Sequence, residues 1–566
     1  MLKVLLVQPV HTSLKSLEEI FSEKNFVSRA VKRITFPLGL MEIGSVLEKN
    51  KINVKIVDLD RYLFYFANDK SIKDKSVDLF LDQSLIKEFN EYAPDVIGFS
   101  GNYNTNAQFV ERCCKEARKL DKNVKIVAGG HYFTNSYRKA LTDANHLDYV
   151  VLGEGEEVML ELVRAIENKD EASLDKHRHV VTKANAADNS IVNKSAAMVA
   201  DLETLPPINY PLLDNVEDYL SSKLDMHTIV SRGRVFKAVT IMTSRGCPHS
   251  CTYCASYQVH GKKMRAFSVD RVIEEIDFLV KNYDINTIAF EDDLFTYSRK
   301  RTIEMCQKIV ERWPDRFILN FPNGIAVYTL NDEVIYWMAK AGMKEINLAV
   351  ESGNQFVQDV VIKKRIKLGT VKPVVDILKK HGVFVRAYFI LGFPGETLDM
   401  MRDTKNFAKE LKLDWSIFSF ATPIAGSELY AMALRNNNLV SDNLEESTYS
   451  DFRLRSDDWE PQDVVEVQEE ANYEVNFLRN YNLAEGNYKK SKTIFAEIVD
   501  DYPKHLLANY SLWRSLIGLG EFTHAAEIEK RLQNLIQADE RNMRILKKYD
   551  LLGKKPFSDI LVTASV

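Results

Sequence analysis

Three cysteines within eight positions form the most chemically specific pattern in this 566-residue sequence. Cys247, Cys251 and Cys254 stand in the segment RGCPHSCTYC, directly after a predicted strand. A short loop of this kind curls the chain tightly enough to turn three thiolates toward one face of an iron-sulfur cube. Because a cube has four irons, the pattern predicts a 4Fe-4S cluster with one iron left open for an exogenous ligand.

Two other chemistries compete for these thiols. A structural zinc site normally takes four protein ligands in two spaced pairs, and only His249 or His260 would be close enough to complete it. A redox or nucleophilic thiol would explain one cysteine and leave the other two without a role. Cys113, Cys114 and Cys306 are distant in the sequence and are typical of small buried residues on helices.

The C-x3-C-x2-C spacing, with the aromatic Tyr253 just before the third cysteine, resembles the radical S-adenosylmethionine (SAM) superfamily. The resemblance implies that the amino and carboxylate groups of SAM chelate the open iron. It also implies one-electron cleavage of SAM to methionine and a 5'-deoxyadenosyl radical, with electrons from an external reductant such as flavodoxin or ferredoxin. The cofactor carries the difficult chemistry, while the protein positions it and excludes competing reactions.

Later strand ends resemble the SAM-facing motifs of the same superfamily. An acidic pair at residues 292–293 stands where the wider superfamily often has a Gly-Gly-Glu turn, and helix capping is the alternative role for these carboxylates. The other segments are AVESG at 349–353, FILGFPGET at 389–397 and TPIAGS at 422–427, where Ala425 replaces a common proline. The resemblance assigns no catalytic residue, but it implies SAM contacts from Tyr253, Asp292, Asp293, Glu351, Ser352, Gly392, Pro394 and Gly395.

The beginning of the chain resembles the cobalamin-binding domain that precedes many radical SAM cores. The matching segments are LVQP at 6–9, PLGL at 37–40 and GEGE at 153–156, where small residues would let the flat corrin approach the sheet. The resemblance implies cobalamin contacts from Gln8, Pro9, Ser100, Gly101, Gly129, Gly130, His131, Gly153, Glu154 and Gly155.

The D-x-H-x-x-G cobalt-ligand motif of methionine synthase-type domains is absent. No aspartate stands two residues before His11 or His131, and no matching glycine follows either histidine. Since members of the radical SAM group commonly lack the motif as well, the resemblance predicts cobalamin held without a protein histidine on cobalt. A satisfied loop histidine is the alternative interpretation of His131.

Predicted elements explain how these distant motifs would meet. Short β-branched runs alternate with helical patterns and predict an α/β protein that begins with a doubly wound, Rossmann-like parallel sheet. Those runs cover residues 3–7, 54–58, 96–100, 124–128 and 149–152. Later runs predict a partial (β/α) barrel and cover residues 238–242, 287–290, 317–321, 345–350, 385–391 and 416–421. Ligands bind at the carboxyl ends of the strands in both architectures, which is where the motifs stand.

We predict four segments along the chain. They are a cobalamin-binding domain at 1–165, a linker at 166–230, a radical SAM core at 231–450 and a helical C-terminal domain at 451–566. The linker lacks periodicity and contains LPPI at 205–208. The last segment has helical spacing and turns that resemble tetratricopeptide (TPR) helix pairs, which predicts a small all-α, TPR-like cap.

Composition narrows the functional class. The net charge of −5 and a pI near 6.2, with no stripe dense in lysine and arginine, do not favour nucleic acid as the main partner. No apolar run approaches the roughly 18 residues of a membrane span, and the first residues lack the features of a secretory signal. Six cysteines in so long a chain are no disulfide framework, so we expect a reducing cytoplasm.

These patterns predict an enzyme that uses a 4Fe-4S cluster, SAM and cobalamin to methylate an unactivated carbon of a small-molecule or natural-product substrate. The family scheme uses one SAM to make the radical and another to remethylate the cobalamin. A radical SAM cyclase, rearrangement or oxidative enzyme with the same cofactors is one alternative. An iron-sulfur binding or electron-transfer module is another, although such a module would need neither the SAM-facing motifs nor an open iron.

Overall fold

The computed structural model describes residues 2–22, 34–143, 146–192, 198–220, 236–440, 452–552 and 554–557. The chain begins with a six-stranded sheet in the order β2-β1-β3-β4-β5-β6, in which the first five strands are parallel and β6 runs antiparallel to β5. The strands are β1 (Lys3–Gln8), β2 (Asn53–Asp58), β3 (Val96–Ser100), β4 (Lys125–Gly129), β5 (Tyr149–Val151) and β6 (Val180–Val181).

Helices cover both faces of this sheet. They are α1 (Leu14–Ser22), α2 (Leu38–Lys49), α3 (Leu59–Asn68), α4 (Val77–Leu81), α5 (Lys87–Tyr92), α6 (Ala107–Leu120), α7 (His131–Asp143) and α8 (Gly155–Glu167). Residues of β1 alternate between the two cores, since Val4 and Leu6 pack with the α2 layer and Leu5 packs with the α6 layer. A strand buried on both faces reads as a continuous apolar run, and this explains why β1 was recognisable in the sequence.

The strand order places a topological switch point between β1 and β3. The crossover from β1 to β2 passes through α2 on one face, and the crossover from β3 to β4 passes through α6 on the other. Connections that leave in opposite directions open a crevice at the carboxyl ends of the two strands.

The described part of the segment predicted as a linker contains regular secondary structure and buried side chains. β6 extends the first sheet, and α9 (Glu217–Leu220) precedes the barrel. Leu202, Leu205 and Tyr210 are buried in the hydrophobic cluster that also contains the barrel core. These apolar residues stand singly among polar ones, so they produce no periodic signal. The four domain boundaries stay a prediction.

Six parallel strands form the partial barrel, as predicted. They are β7 (Ala238–Ile241), β10 (Thr287–Phe290), β11 (Ile318–Asn320), β12 (Glu345–Glu351), β13 (Phe384–Leu391) and β14 (Trp415–Phe420). Two three-stranded sheets, β11-β10-β7 and β12-β13-β14, meet through bridges from Leu319 to Met343 and from Ile325 to Leu348. Between β7 and β10, the short strands β8 (Ser244–Arg245) and β9 (Arg265–Ala266) pair antiparallel around α10 (Tyr257–His260).

Outer helices and a helical C-terminal region complete the fold. The barrel helices are α11 (Val269–Tyr283), α12 (Arg299–Arg312), α13 (Asp332–Ala341), α14 (Val371–Lys380), α15 (Leu398–Glu410) and α16 (Glu428–Arg435). The C-terminal helices are α17 (Pro461–Asn472), α18 (Tyr481–Ala484), α19 (Tyr488–Asp501), α20 (Leu506–Gly518), α21 (Phe522–Ala538) and α22 (Glu540–Lys548). The predicted helical C-terminal region is confirmed. No helix in the described part of the chain has the length and apolarity needed to cross a membrane.

Candidate active site

The β8–β9 ladder closes the cysteine loop at its base. Gly246 begins the loop with φ +95°, and a Cβ there would stand 2.5 Å from the carbonyl oxygen of Lys263. Only glycine adopts this conformation without strain. The Cys247 N–H then donates to the carbonyl of Gly261 at 3.1 Å, so the loop returns to its own base. The ladder therefore presents all three loop cysteines from one short, hydrogen-bonded segment.

The three loop thiols carry no disulfide, and their surroundings favour the neutral thiol while no metal is bound. Burial, and then the charge of Asp293, raises the pKa of Cys247 to about 11 and that of Cys254 to about 12. Burial also raises the pKa of Cys251. Iron binding would have to supply the positive charge that stabilises the thiolates.

The donor chemistry of the loop fits an iron-sulfur cluster. Three thiols are the ligand type that such clusters take, and a cube offers each of them a separate iron. Among the described residues, no group of three or more His, Cys, Asp or Glu side chains is arranged to hold one metal ion. The other cysteines, Cys113, Cys114 and Cys306, are buried on α6 and α12, as expected.

A hydrogen-bonded trio lies beside the loop at the end of β12. The Tyr253 hydroxyl donates to Glu351 Oε1 at 3.1 Å, and Lys364 Nζ donates to the same oxygen at 2.6 Å. Glu351 has φ +70°, a conformation in which a non-glycine residue is uncommon and which often marks a functional site. Lys364 also acts electrostatically on Cys247 and Cys251. The sequence predicted Tyr253 and Glu351 but missed Lys364, which belongs to no recognised motif.

The three acidic residues after β10 have two different roles. Glu291 and Asp293 line the cavity described below. Asp292, between them, is 2% exposed and accepts hydrogen bonds from the backbone and hydroxyl of Thr243 and from the Ser244 hydroxyl. Asp292 therefore has a structural role, because its side chain faces the chain that leads into the cysteine loop, and its contact with SAM stays a prediction.

Glu291 is a cavity residue that the predicted site did not include. Burial, and then repulsion from Asp292, raises its pKa to about 7. Its backbone carbonyl accepts a hydrogen bond from Asn323 Nδ2 at 2.8 Å. The sequence offered one signal for Glu291. It stands two positions before Asp293, and residues two apart in an extended segment face the same side.

The motifs after β12 and β13 form tight turns. Ser352 is fully buried, accepts from the Asn354 N–H at 3.2 Å and contacts the Thr404 hydroxyl, which gives it a role in this turn. Its contact with SAM stays a prediction. After β13, the N–H groups of Gly392 and Phe393 donate to Glu396 Oε2 at 2.9 and 3.2 Å.

The predicted SAM residues of the second turn differ in accessibility. Gly392 is buried, Pro394 is half-buried and Gly395 is exposed. A Cβ at Gly392 would come within 2.8 Å of the Phe452 and Val464 side chains. Gly392 is therefore needed for packing, whereas Pro394 and Gly395 are open to contact. Their contacts with SAM stay predictions.

A cavity of about 520 Å³ opens at the carboxyl edge of the N-terminal sheet. Eight of the ten residues predicted for cobalamin line it: Gln8, Ser100, Gly129, Gly130, His131, Gly153, Glu154 and Gly155. The other two, Pro9 and Gly101, are not among its lining residues. Gly101 instead faces the Phe133 ring, which a Cβ would approach to 2.2 Å.

The same cavity continues into the barrel. Its far wall consists of Thr240, Met242, Glu291, Asp293 and Asn323, which stand on or directly after barrel strands. Strand ends of both architectures therefore face one space. A flat ligand on the sheet edge would lie between the two domains.

Asp293 links the two sides of this space. Its charge acts on His131, which follows β4, and on Cys247 and Cys254 in the barrel loop. His131 is half-buried, with its ring centroid 5.5 Å from that of His260. Burial, and then His260, lowers the pKa of His131 to about 4, so His131 is neutral at physiological pH.

A buried group of charges, here called the ionic seam, joins the two domains beside the cavity. Arg245, two residues before Cys247, pairs with three glutamates of the N-terminal domain at 2.6–3.3 Å. Arg265 and His260 add further contacts to one of these glutamates. The seam consists of Glu42, Glu154, Glu156, Arg245, His260 and Arg265.

The carboxylate of Glu154 is held by several hydrogen-bond donors. Arg265 donates to both oxygens at 2.6 and 2.7 Å, His260 Nδ1 contacts Oε1 at 3.0 Å, and the Val199 N–H donates at 2.7 Å. The Glu154 side chain thus joins the two domains, and Glu154 also lines the cavity; its contact with cobalamin stays a prediction.

Comparison with known proteins identifies the family. The Radical SAM superfamily model matches residues 241–408, and the B12 binding domain model matches residues 25–163. An uncharacterised methyltransferase of Pyrococcus horikoshii is 30% identical over 430 residues, which cover 75% of this chain and 84% of the relative. The chain belongs to the cobalamin-binding radical SAM superfamily. It is an enzyme whose cofactors are a 4Fe-4S cluster, SAM and cobalamin.

Other members of the superfamily share the whole architecture. Cytidylyl-2-hydroxyethylphosphonate methyltransferase of Streptomyces wedmorensis is 28% identical over 476 residues, which cover 79% of this chain and 87% of the relative. The methyltransferase TsrM from Kitasatospora setae, solved with cobalamin and a [4Fe-4S] cluster, has a TM-score of 0.58 at 16% identity and covers 95% of this chain and 99% of its own. OxsB, solved with aqua-cobalamin and SAM, has a TM-score of 0.62 at 16% identity, with 97% and 80% covered. These likenesses confirm the predicted fold.

Proposed function

We propose that this protein is a methyltransferase that adds a methyl group to an unactivated carbon of a small molecule. One observation carries the proposal: a single cavity extends from the edge of the N-terminal sheet to the ends of the barrel strands, and it is lined by Asp293, whose charge also acts on Cys247 and Cys254. A methyl transfer that uses both cofactors requires one substrate carbon to be accessible from both. The cavity, which is lined by residues of both the sheet and the barrel, supports such access.

The residues divide the binding work as follows. Cys247, Cys251 and Cys254 would hold the cluster, and Tyr253 and Glu351 would contact SAM. When bound, the cluster and SAM supply the radical, and cobalamin supplies the methyl group. Lys364 neutralises Glu351 at 2.6 Å and holds the Glu351 carboxylate in place beside the loop.

The sheet side would hold cobalamin through main chain and small side chains. The turns after β4 and β5 present Gly129 and Gly153 to the cavity, and a Cβ on Gly39, at its rim, would meet no atom within 4 Å. Such open backbone fits a broad, flat ring. Glu291 and Asp293 on the opposite wall would contact the substrate, because they are the acidic groups that the barrel contributes to this cavity.

The test is anaerobic purification and reconstitution with iron, sulfide and hydroxocobalamin, followed by metal analysis and SAM cleavage assays. We expect about four irons and one cobalt per chain, with 5'-deoxyadenosine formed on reduction. Cys251→Ala should lose the iron and the deoxyadenosine, whereas Cys306→Ala, a buried cysteine of α12, should keep both. Zinc without iron would contradict the proposal, and iron without cobalt would remove the cobalamin-dependent step.

A second candidate reaction is cyclisation with the same cofactors. It is favoured by one group of relatives, since anaerobic magnesium-protoporphyrin IX monomethyl ester cyclase of Cereibacter sphaeroides is 26% identical over 352 residues, which cover 62% of this chain and 55% of that enzyme. Release of S-adenosylhomocysteine with deoxyadenosine indicates methylation, and deoxyadenosine alone indicates the cyclase type of reaction. We further propose that a flavodoxin- or ferredoxin-type protein supplies the electrons and that the protein is cytoplasmic.

A further inference from the structure

The tip of the cysteine loop is exposed outside the cavity. Pro248 and Ser250 are exposed, and His249 between them is half-buried. None of these three residues lines the cavity between the two domains. The segment that carries the three cluster cysteines therefore also reaches the outer surface of the protein.

Two exposed tyrosines lie beside this tip. Tyr328 is 46% exposed and Tyr297 is 54% exposed. The Tyr328 hydroxyl contacts His249 Nε2 at 2.5 Å, and the centroids of the two rings stand 5.4 Å apart. Burial, and then Cys247 and Cys251, raises the pKa of Tyr328 to about 12, so its hydroxyl lies near two of the cluster thiols. Tyr297 acts on the same hydroxyl.

Four exposed cations lie on the same surface. Lys262 Nζ donates to the Ser250 hydroxyl at 2.7 Å, and Arg299 donates to the Tyr328 carbonyl at 2.9 Å. The residue that follows each of these two cations is a further exposed lysine. Within the described ranges, none of the four forms an ion pair with a carboxylate. The cations and tyrosines, here called the loop-tip patch, are Lys262, Lys263, Tyr297, Arg299, Lys300 and Tyr328.

The charge of the loop-tip patch is opposite to that of the whole chain. Its six residues include four cations and no carboxylate, whereas the net charge of the protein is −5. An acidic protein is therefore repelled by the molecule as a whole and attracted to this patch. Such complementarity raises association rates by about 10- to 1,000-fold. Tyrosine and arginine are also enriched among the residues that contribute most to protein interfaces.

We propose that the loop-tip patch docks an acidic electron-carrier protein that reduces the cluster. The inference rests on the proposed function, because reductive cleavage of SAM consumes one electron. Electron transfer slows steeply with distance, so a carrier has to dock close to the cluster, and the exposed tip of the ligand loop provides such a place. Encounters of this kind use small interfaces.

The transfer balances with a flavin carrier. An anionic flavin hydroquinone loses one electron and becomes the neutral semiquinone, while the cluster gains that electron and passes from the 2+ to the 1+ state. No proton moves and no covalent bond forms or breaks. The patch has only to hold the carrier near the loop while the electron passes.

Carbodiimide cross-linking of the reconstituted enzyme with flavodoxin locates the docking surface. The reagent joins a lysine ammonium to a carboxylate in direct contact with it, and mass spectrometry of the digested product identifies the lysine. We expect links at Lys262, Lys263 or Lys300. Links confined to lysines outside the loop-tip patch would place the docking surface elsewhere and overturn the inference.

Charge reversal then separates docking from the redox chemistry. In the double variant Lys263→Glu with Lys300→Glu, the second-order rate of cluster reduction by flavodoxin hydroquinone should fall about tenfold at low salt. Added salt should remove the difference, because it screens exposed charges. The rate with dithionite, which needs no docking surface, should change far less. The matched control is Lys530→Glu with Arg531→Glu, two exposed cations of α21, and it should keep the flavodoxin rate.

The affinity for flavodoxin, measured by calorimetry, should follow the same pattern. Equal flavodoxin rates and affinities in both double variants would overturn the inference, and an equal fall with dithionite would assign the patch to the cluster itself. Iron-loaded protein that forms no deoxyadenosine even with dithionite would reject the proposed function and this inference with it, and that case is recognised before flavodoxin is added. Cross-linking of the wild-type chain keeps the test decisive even where a variant folds poorly.

Discussion

Two buried glutamates on opposite sides of the barrel have pKa values shifted in opposite directions. Glu154 belongs to the ionic seam; although burial opposes it, hydrogen bonds from Arg265 and His260 and the charge of Arg245 hold its pKa at about 2. Glu396 follows β13 beside the C-terminal helices, and burial raises its pKa to about 8 against the opposing backbone N–H donors. Glu154 therefore stays ionised within the seam, whereas Glu396 stays protonated up to about pH 8.

Their surroundings account for this difference. On the cofactor side, Glu154 is held by directional, charge-assisted bonds from Arg245, His260 and Arg265. On the other side, Trp459, Val464 and Val467 are buried in the barrel core, and the Trp459 indole donates to the Glu396 carbonyl at 2.7 Å. The ion pairs of that interface, such as Lys405 with Glu470 and Lys490 with Asp414, involve other residues.

Among these changes, the removal of Arg245 should have the largest effect on stability. Arg245→Ala leaves three buried glutamates without their shared partner, which typically costs about 3–5 kcal/mol. We expect the free energy of local opening, measured by hydrogen exchange in residues 153–156 and 244–266, to fall by that amount. Arg402→Ala, which removes an exposed pair with Asp399, is the control and should change it by less than about 1 kcal/mol. An equally small change for Arg245→Ala would show that the seam is not what holds the domains.

Acidification should have the second-largest effect, because it weakens the ionic seam. The pKa of Glu154 is lower in the folded state, about 2, than the ordinary value of 4.5. The stability it contributes is therefore complete above about pH 4.5 and is lost as the pH falls toward 2. At 1.36 kcal/mol per pKa unit, the contribution is about 3 kcal/mol.

Urea unfolding at several acidic pH values measures this contribution. Glu154→Gln should be less stable than wild type at neutral pH and should show a flatter decline on acidification, because the titrating group has been removed. Parallel declines in the two proteins would show that another carboxylate is responsible.

Base should act on the opposite side of the barrel, with the opposite sign. The pKa of Glu396 is higher in the folded state, so the folded protein binds its proton more tightly, and stability falls as the pH rises from about 4.5 to about 8. Between about pH 6 and pH 8 the expected loss is about 2 kcal/mol. Glu396→Gln keeps an acceptor for Gly392 and Phe393 but cannot ionise, so its urea midpoint should change less over this range. A wild-type midpoint that stays constant would contradict the raised pKa.

The same contrast explains what could be predicted from the sequence. Strands, barrel helices and the cysteine loop depend on residues close together in the chain, so apolar periodicity and spacing were sufficient. Asp292 and Asp293 are neighbours with different roles, and the sequence alone cannot say which carboxylate faces Thr243 and which faces the cavity. Their separation depends on the direction in which the chain leaves β10.

Long-range pairs are what the sequence could not supply. The 153–156 turn was recognised as a ligand loop, yet the partners of Glu154 come from residues 245–265, in another domain. Lys364 was missed for the same reason, since it acquires its role from Glu351, a residue that only the fold brings near. Ion pairs between residues that are distant in the chain produce no periodic pattern in the sequence.

The smallest effect should come from the apolar side. Val467→Ala removes two buried methyl groups that pack in the barrel core, and should cost about 2 kcal/mol. Because no charge is involved, the loss should be the same at about pH 3, pH 6 and pH 8 and should not respond to salt. The Arg245→Ala loss, by contrast, should shrink in acid as the seam glutamates take up protons. If both losses followed the same pH profile in urea titrations, the distinction between the charged seam and this apolar contact would be wrong.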